Sequence, residues 1–591
     1  MAGTARDPGT RTPSWSQVLR SQRSVLTGAV RAWGPAAVAA LGLALVMAPG
    51  GTWTRIAGYV CAALAAGVVA WVKRSSLRKP SRGGLIATHV STRVLLLITV
   101  AGALQRSRPQ DPWTWPAVVA VLLVVIAEPT LKAMIGRQRE VVVNLPGVAE
   151  VPIRPFAGAW VTTTTWAFLA VAAVVAAAGA PALVLAVPAL VPAALALVVA
   201  RWALLANVAS DRVRRQIQPA LEALRPELVV YYAAVSGVRY QMGMWLPYLE
   251  RLGRPFFVIT REASTVREIA SMTDAPVLVP RDLAAGGLDQ MVVPTLRAAF
   301  YVQGSPANQT FQRYRQLTHI WLNHGDSDKQ ANFHPRHATY DKLFLSGEQA
   351  IERYHDHGID IPRDKIVLVG RPQVETIEAR DAEDAAPEVV LYAPTWKGGR
   401  PSTSYSSLPI GPQIVAALLT RGKTVVFRPH PLSDGIPSDR AKSDKIRSML
   451  ADDAARSGRA HVWGEQAERT WDVPGCFNAT DALITDVSSL ASDYLATDKP
   501  LAMVAMLQRG EDFRRETPLA RVAYLIEKDL STLDSALDDL LGPDPLRAAR
   551  AAYRSHCLGE VVGERAADEF LRQARAILDA PPASSSPDER R

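Results

Sequence analysis

Four stretches in the first third of the chain, 34–49, 56–72, 160–179 and 182–205, are runs of Ala, Val, Leu and Gly with almost no charge. Each approaches the roughly 20 residues that a helix needs to cross about 30 Å of hydrocarbon, where the backbone must satisfy its own polar groups. Buried helices of a large soluble protein account poorly for four such runs, so this part of the chain is expected to span a membrane. Two weaker candidates lie between them: Thr92 to Leu104, with Arg93 near its entry, and Trp113 to Leu131, whose Trp113 and Trp115 suit a membrane interface. The expectation is a cytosolic tail at 1–33 followed by about six spans over 34–205.

Charge orients these spans. Arg6, Arg11, Arg20, Arg23 and Arg31 precede the first span. Lys73, Arg74, Arg78, Lys79 and Arg82 follow the second, Lys132, Arg137 and Arg139 the fourth, and Arg212, Arg214 and Arg215 the last. The alternate loops hold only Arg55, then Arg106 and Arg108. The excess of positive charge marks the cytoplasmic side, so the N-terminus and everything after Leu205 are expected in the cytoplasm of a multi-pass cell-membrane protein. The N-x-T sequons at Asn308 and Asn478 are then accidental.

The 591 residues are too many for one core, and 66 Lys and Arg against 56 Asp and Glu give a net charge of +10. A basic balance favours an anionic partner, whether nucleic acid, phospholipid headgroup or phosphorylated substrate. Cys61, Cys476 and Cys557 are far apart and lack C-x-x-C spacing, which argues against a disulfide framework or a zinc site. Met1 to Gln22 lacks the apolar core of a cleavable signal peptide.

From Pro226 the pattern changes to short apolar runs separated by helical stretches. Leu228–Ala233, Phe256–Thr260, Val277–Pro280, His319–Asn323, Leu343–Ser346 and Ile366–Val369 read as buried parallel strands of one doubly wound domain at 206–380. Val389–Ala393, Thr424–Phe427, His461–Trp463, Ala482–Ile484, Leu501–Val504 and Tyr524–Ile526 read as a second at 388–578, with a polar linker at Asp381–Pro387. The last helix is expected over Leu546–Leu578, and a Pro- and Ser-rich tail at 579–591 is too polar to fold alone. The fold class is an α-helical transmembrane bundle followed by two facing Rossmann-like domains with a cleft between their strand ends.

Four polar clusters fall at predicted strand ends, where open α/β sheets bind ligands. Asn323-His324-Gly325-Asp326-Ser327-Asp328-Lys329 offers His324 as a base, with Gly325 allowing close approach. The D-x-D spacing of Asp326 and Asp328 could instead hold a divalent cation, the less favoured reading. Tyr392 to Gly398 contributes Thr395 and Lys397, and Arg428-Pro429-His430 contributes a planar fork and an imidazole suited to phosphate. The fourth, Thr485-Asp486-Val487-Ser488-Ser489, turns from an apolar strand into a helix, where unpaired backbone N–H groups favour an anion, although Asp486 or Ser488 serves equally as a helix cap. Together these groups point to a diphosphate.

These motifs carry a resemblance. H-G-x-x-x-K at 324–329, G-R-P at 370–372, Y-A-P-T-W-K at 392–397, R-P-H-P at 428–431 and L-I-T-D-V-S-S-L-A-S-D-Y from 483, with K-P at 499–500, resemble the CDP-glycerol glycerophosphotransferase family of teichoic-acid primases and polymerases, which is similar to GT-B glycosyltransferases in fold. The resemblance covers roughly 300–530. It implies His324 as base, with His430 also catalytic. Thr395, Lys397, Arg428, His430, Thr485, Asp486, Ser488 and Ser489 would lie on the donor's phosphates, supported by Gly325, Lys329, Gly370, Pro372 and Asp493. The family's first motif reads W-H-G-T, whereas this chain has Asn323 and Asp326.

The expected activity is transfer of glycerol phosphate, or a similar alditol phosphate, from CDP-glycerol to a hydroxyl of a lipid-linked cell-wall polymer, releasing CMP. No cofactor is required and nucleic acid is not a partner, while membrane lipid is. Two rivals stay open at this stage: a GT-B glycosyltransferase using a nucleotide-sugar, and a non-enzymatic protein that exports polymer or senses nucleotide.

Overall fold

The computed structural model describes residues 15–73, 86–150, 158–235, 237–329, 332–380 and 386–580. The first third is helical: α1 Trp15–Met47, α2 Thr52–Val72, α3 Val90–Ser107, α4 Thr114–Gly136, α5 Ala159–Ala178 and α6 Ala186–Leu224. Among the described residues, five segments are long and apolar enough to cross a membrane: Val30–Met47, Thr52–Val72, Thr114–Gly136, Ala159–Ala178 and Ala182–Leu224. The weaker candidate at Thr92 to Leu104 forms a helix, α3, but with Arg93, Gln105 and Arg106 in it α3 is not among those five. Helix α1 begins at Trp15, within the expected tail at 1–33, but its apolar part starts only at Val30; residues 1–14 lie outside the described residues.

Two compact units result, one holding α1 to α5 with α6 as far as Arg212, the other holding Glu140–Glu150 and the chain from Val213. In the first, Leu97 and Ala101 of α3, Val121 and Val125 of α4, and Phe168 and Ala172 of α5 form a core without polar atoms. One fully buried ion pair interrupts it. Arg93 donates from Nη1 and Nη2 to the two Glu128 oxygens at 2.5 and 2.8 Å and from Nη1 to Thr165 Oγ1 at 2.8 Å. Glu128 Oε2 also accepts from Thr162 Oγ1 at 2.7 Å and the Ala87 backbone N–H at 2.9 Å. Several exposed tryptophans sit at helix ends, Trp53, Trp113 and Trp115 where α2 and α4 begin, Trp71 where α2 ends, and Trp160 where α5 begins, while Trp33 lies inside α1 near the start of its apolar part. That is the placement membrane interfaces favour.

The second unit is built on two sheets. The first has strands β1 Val141–Val143, β2 Leu228–Tyr232, β3 Phe256–Thr260, β4 Val277–Val279, β5 Ala298–Tyr301, β6 Thr318–Trp321, β7 Lys342–Leu345 and β8 Ile366–Leu368, in the order β1-β4-β3-β2-β5-β6-β7-β8. All pairs are parallel except β1 with β4. The second sheet is wholly parallel, with β9 Val389–Ala393, β10 Thr424–Phe427, β11 Ala482–Thr485, β12 Leu501–Ala505 and β13 Tyr524–Glu527 in the order β10-β9-β11-β12-β13. Strand order reverses between β2 and β5 in one sheet and between β9 and β11 in the other. These are the switch points outside which doubly wound sheets open a binding crevice. The fold is the pair of α/β units with mainly parallel sheets that the sequence led us to expect.

Strands β1 and β5 were not anticipated. Conversely, 461–463 forms only an isolated bridge, Val462 to Val426, because the His461 ring spends Nδ1 on the Val425 N–H and Nε2 on Asp453. The single helix expected over 546–578 is two, Arg547–Leu558 and Asp568–Asp579, separated around Gly559 and Gly563. Of the expected linker and C-terminal tail, 381–385 and 581–591 lie outside the described residues.

Candidate functional site

The switch point of the second sheet brings together the ends of β9 and β11. Asp486, directly after β11, is completely buried and accepts from three donors: Thr395 N, shared between its two oxygens at 2.9 and 3.1 Å, Ser407 N at 2.7 Å and Ser407 Oγ at 2.9 Å. Burial pushes its carboxyl up to about 6 against the pull of Ser407, Lys329 and Thr395. A buried carboxylate already saturated by donors repels a phosphate, so Asp486 shapes the 394–407 loop and is corrected as a direct phosphate ligand. Thr485 is corrected likewise, since its hydroxyl donates to the Ala393 carbonyl at 2.7 Å and ties β11 to β9. Ser488 caps the short helix Ser489–Tyr494, accepting from Leu490 N at 3.1 Å. Lys397 is exposed and makes no hydrogen bond or ion pair with the described residues.

The exit of β10 divides its two candidates. Arg428 turns its Nη1 to the carbonyls of Ala467 and, at 2.8 Å, Trp471, and lies 3.6 Å from Cys476 Sγ. Through Nη1 it anchors the 466–478 segment, while the phosphate contact expected of it would fall to Nε and Nη2. His430 stays in the cleft. Its Nδ1 accepts from Leu432 N at 3.1 Å, which leaves Nε2 to carry the proton of the neutral ring. Burial, with Lys329 adding to it, pushes this imidazole down to about 4, so at neutral pH it is an uncharged donor.

On the opposite side, the loop after β6 is organised by Asn323. Its backbone is left-handed, φ 62°, a conformation Asn tolerates better than a bulky residue. Its side chain donates to the Gly325 carbonyl at 2.8 Å and Asn332 Oδ1 at 2.7 Å, and accepts from His324 N at 2.8 Å. Nδ1 of His324 is buried without a hydrogen-bond partner among the described residues. Burial pushes this imidazole down to about 4, helped by Arg371 and Lys329 and opposed by the Val302 carbonyl. Gly325 faces Ser489 of the other sheet so closely that a Cβ there would lie 2.9 Å from Ser489 Oγ.

Asp326 and Asp328 are spent on a residue the sequence did not single out. Arg353 donates to Asp326 Oδ1 from Nη1 and to Asp328 Oδ1 from Nε at 3.0 Å; Ser346 Oγ and Gln349 Nε2 complete the arrangement. Burial raises the Asp326 carboxyl, but Arg353 more than offsets this and holds it below the usual range. The D-x-D pair is therefore an arginine clamp under the His324 loop. Lys329 instead crosses the cleft and donates to Thr395 Oγ1 at 2.9 Å. Arg371, between Gly370 and Pro372, also crosses, pairing with both oxygens of Asp493 at 2.7 and 3.1 Å. The Pro372 carbonyl accepts from Tyr248 at 2.8 Å.

Between the halves stands Tyr240, from the helical turn Val238–Gly243 after β2. Its ring centroid is 5.8 Å from that of His324 and 5.9 Å from that of His430, edge-on to both at 67° and 76°. One ring thus touches a candidate base on one sheet and a candidate donor on the other, with the Lys329 cation felt by both imidazoles.

Apart from Tyr240 and Tyr248, the residues named here lie in one continuous segment. Residues 288–509 match the family described as CDP-Glycerol:Poly(glycerophosphate) glycerophosphotransferase. Over that segment, a little over a third of its length, the chain is similar to this glycerophosphotransferase family. No curated protein matches it. Among solved structures it is similar to the wall teichoic acid polymerase TagF, a variant soaked with CDPG, at 12% identity and TM-score 0.40, covering 62% of this chain and 92% of that one. It is also similar to MnaA of S. aureus with UDP (13%, TM-score 0.40, 60% and 97% covered) and MurG of Acinetobacter baumannii (10%, TM-score 0.36, 59% and 100% covered).

Within this glycerophosphotransferase-like segment lie His324, Lys329, Arg353, Arg371, Thr395, His430 and Ser489, whereas Tyr240 lies before it. The sequence signal for Tyr240 was positional only: it follows β2, the strand at the switch point. Arg353 and Arg371 had weaker signals still, since nothing in E-R-Y or G-R-P says which carboxylate each arginine meets.

Proposed function

We propose that the protein transfers glycerol phosphate, or a similar alditol phosphate, from a CDP-linked donor to a hydroxyl of a lipid-linked cell-wall polymer, and that the second unit does so on the cytoplasmic side of the membrane. The observation that carries this reading is the meeting of His324 and His430 across the cleft, one ring apart on Tyr240, beside Lys329. A diphosphate between them would receive a hydrogen bond from His430 Nε2 and the charge of Lys329, with Ser488 and Ser489 at hand. His324 takes the proton of the acceptor hydroxyl as its oxygen attacks the β-phosphorus; the bond to the bridging oxygen breaks and CMP leaves. At about 4, the resting imidazole is a weak base. A bound diphosphate brings negative charge beside it, opposes Lys329 and Arg371, and raises its proton affinity as the substrate arrives. The apolar helices and the arginine bias of their loops support a membrane-held acceptor and an inward-facing donor site.

The test is donor turnover by the full-length protein in detergent, offered CDP-glycerol, CDP-ribitol and a panel of UDP-sugars with a membrane-lipid acceptor fraction. CMP released from a CDP-alditol with a phosphodiester in the product is expected. UDP released with a glycosidic product would replace this reading by a nucleotide-sugar transferase.

A further inference from the structure

Tyr240 is the side chain that both candidate histidines touch, and it lies outside the segment that matches the transferase family. Its ring and hydroxyl are held by neighbours within the turn after β2. Gly237, at φ 75°, turns the chain out of β2, and a Cβ on it would lie 2.6 Å from the Tyr240 ring, so the absence of a side chain there makes room for the aromatic. The hydroxyl accepts from Gln241 Nε2 at 2.9 Å, and Gln241 Oε1 accepts in turn from the buried Tyr232 hydroxyl at 2.7 Å. This chain of hydrogen bonds starts inside the sheet and ends at the ring. The two imidazoles approach from different sheets, and each meets Tyr240 edge to face at a separation typical of favourable aromatic pairs.

We propose that Tyr240 is a positioning residue: its ring spaces His324 and His430 across the cleft, keeps water from both, and so holds base and donor at the separation the reacting phosphate requires. This rests on the function proposed above for the two histidines. The groups that otherwise face them are Lys329, Arg371 and the Val302 carbonyl for His324, and Lys329 and the Trp396 ring for His430. None of these belongs to the β2 turn. Among the described residues, no other aromatic ring pairs with both imidazoles.

The test separates ring from hydroxyl and structure from turnover. Tyr240→Phe keeps the ring and is expected to hold kcat within about threefold. Tyr240→Leu removes it and is expected to lower kcat roughly 30- to 100-fold with donor KM changed less than about threefold, the loss expected for a small displacement of catalytic groups. Independently of turnover, modification of the full-length protein by diethyl pyrocarbonate across pH, read residue by residue by mass spectrometry, reports when each imidazole titrates. Both His324 and His430 are expected to titrate higher in Tyr240→Leu by about one pH unit or more, as water reaches them, and to stay put in Tyr240→Phe. Tyr240→Met, which retains volume without a ring, takes the place of Tyr240→Leu if that variant loses its thermal transition. Unmoved titrations in the ringless variant, movement of one histidine alone, or equal losses in the Phe and Leu variants would overturn the proposal. Failure of the wild type to use any CDP-linked donor would instead reject the transferase reading and leave the titration test standing.

Discussion

The helical bundle and the cleft both bury ionisable groups, and they treat them in opposite ways. In the bundle, Glu128 accepts from Arg93, Thr162 and Ala87, so the buried negative charge is matched atom by atom, with only the Arg93 Nε left over. In the cleft, His324 Nδ1 is buried and unmatched, His430 keeps an Nε2–H free of the Leu432 contact, and Lys329 is held by a neutral hydroxyl in place of a carboxylate. Burial costs about as much in either place. What differs is whether the partner comes from the chain or is left to an incoming molecule. By that criterion Asp326, Asp328, Asp486 and Arg428 belong with Glu128, as fixed framework, and the two histidines do not.

The strongest way to break the comparison is at its reactive end. His324→Ala should lower transfer by about 10² to 10⁴-fold while leaving Tm and donor affinity nearly unchanged, since the base acts only as the proton moves. A large loss of Tm would put His324 with the framework. Glu128→Ala should do the reverse, leaving Arg93 buried and uncompensated at about 3–5 kcal/mol, read as a drop in thermal stability in detergent; replacing both partners by Leu and Met should recover most of it. Arg428→Ala sharpens the boundary between the two classes. With its guanidinium on the Ala467 and Trp471 carbonyls, it should cost about 1.5–3 kcal/mol of stability and change donor KM little. A strongly raised KM with unchanged Tm would return it to the phosphate site.

The smallest effect concerns Asp486 and pH. Its folded carboxyl, at about 6, binds its proton more tightly than in the unfolded chain. This group's contribution is therefore fully present below about pH 4, its ordinary range, and is lost as pH rises through about 6. Asp486→Asn should flatten the fall in Tm between pH 4 and pH 7. An unchanged slope would mean that another group titrates there.

Much of this was legible in residue order. Apolar runs of membrane length and strand–turn–helix alternation are local signals, and they located the spans, both sheets and the loops at the strand ends. β1 is three residues long and pairs antiparallel with a strand more than a hundred residues away, so no local pattern announces it. β5 hides in an Ala-rich stretch after Leu296. Among the site residues, type predicted the loop correctly but not where the side chain would point: Thr485 and Ser488 are both hydroxyls at the end of β11, yet one ties strands and the other caps a helix. Tyr240 and Arg353 were missed because their significance lies wholly in distant partners.

Gly325 shows what an absent side chain decides. The room a methyl group would need is taken by the Ser489 side chain of the opposite sheet, with Oγ 2.9 Å and Cβ 3.0 Å from where that carbon would lie. A larger residue at 325 would have to push Ser489 aside or part the two loops, on the same segment from which Lys329 reaches Thr395. The spacing of the two sides at this point thus depends on one missing carbon atom.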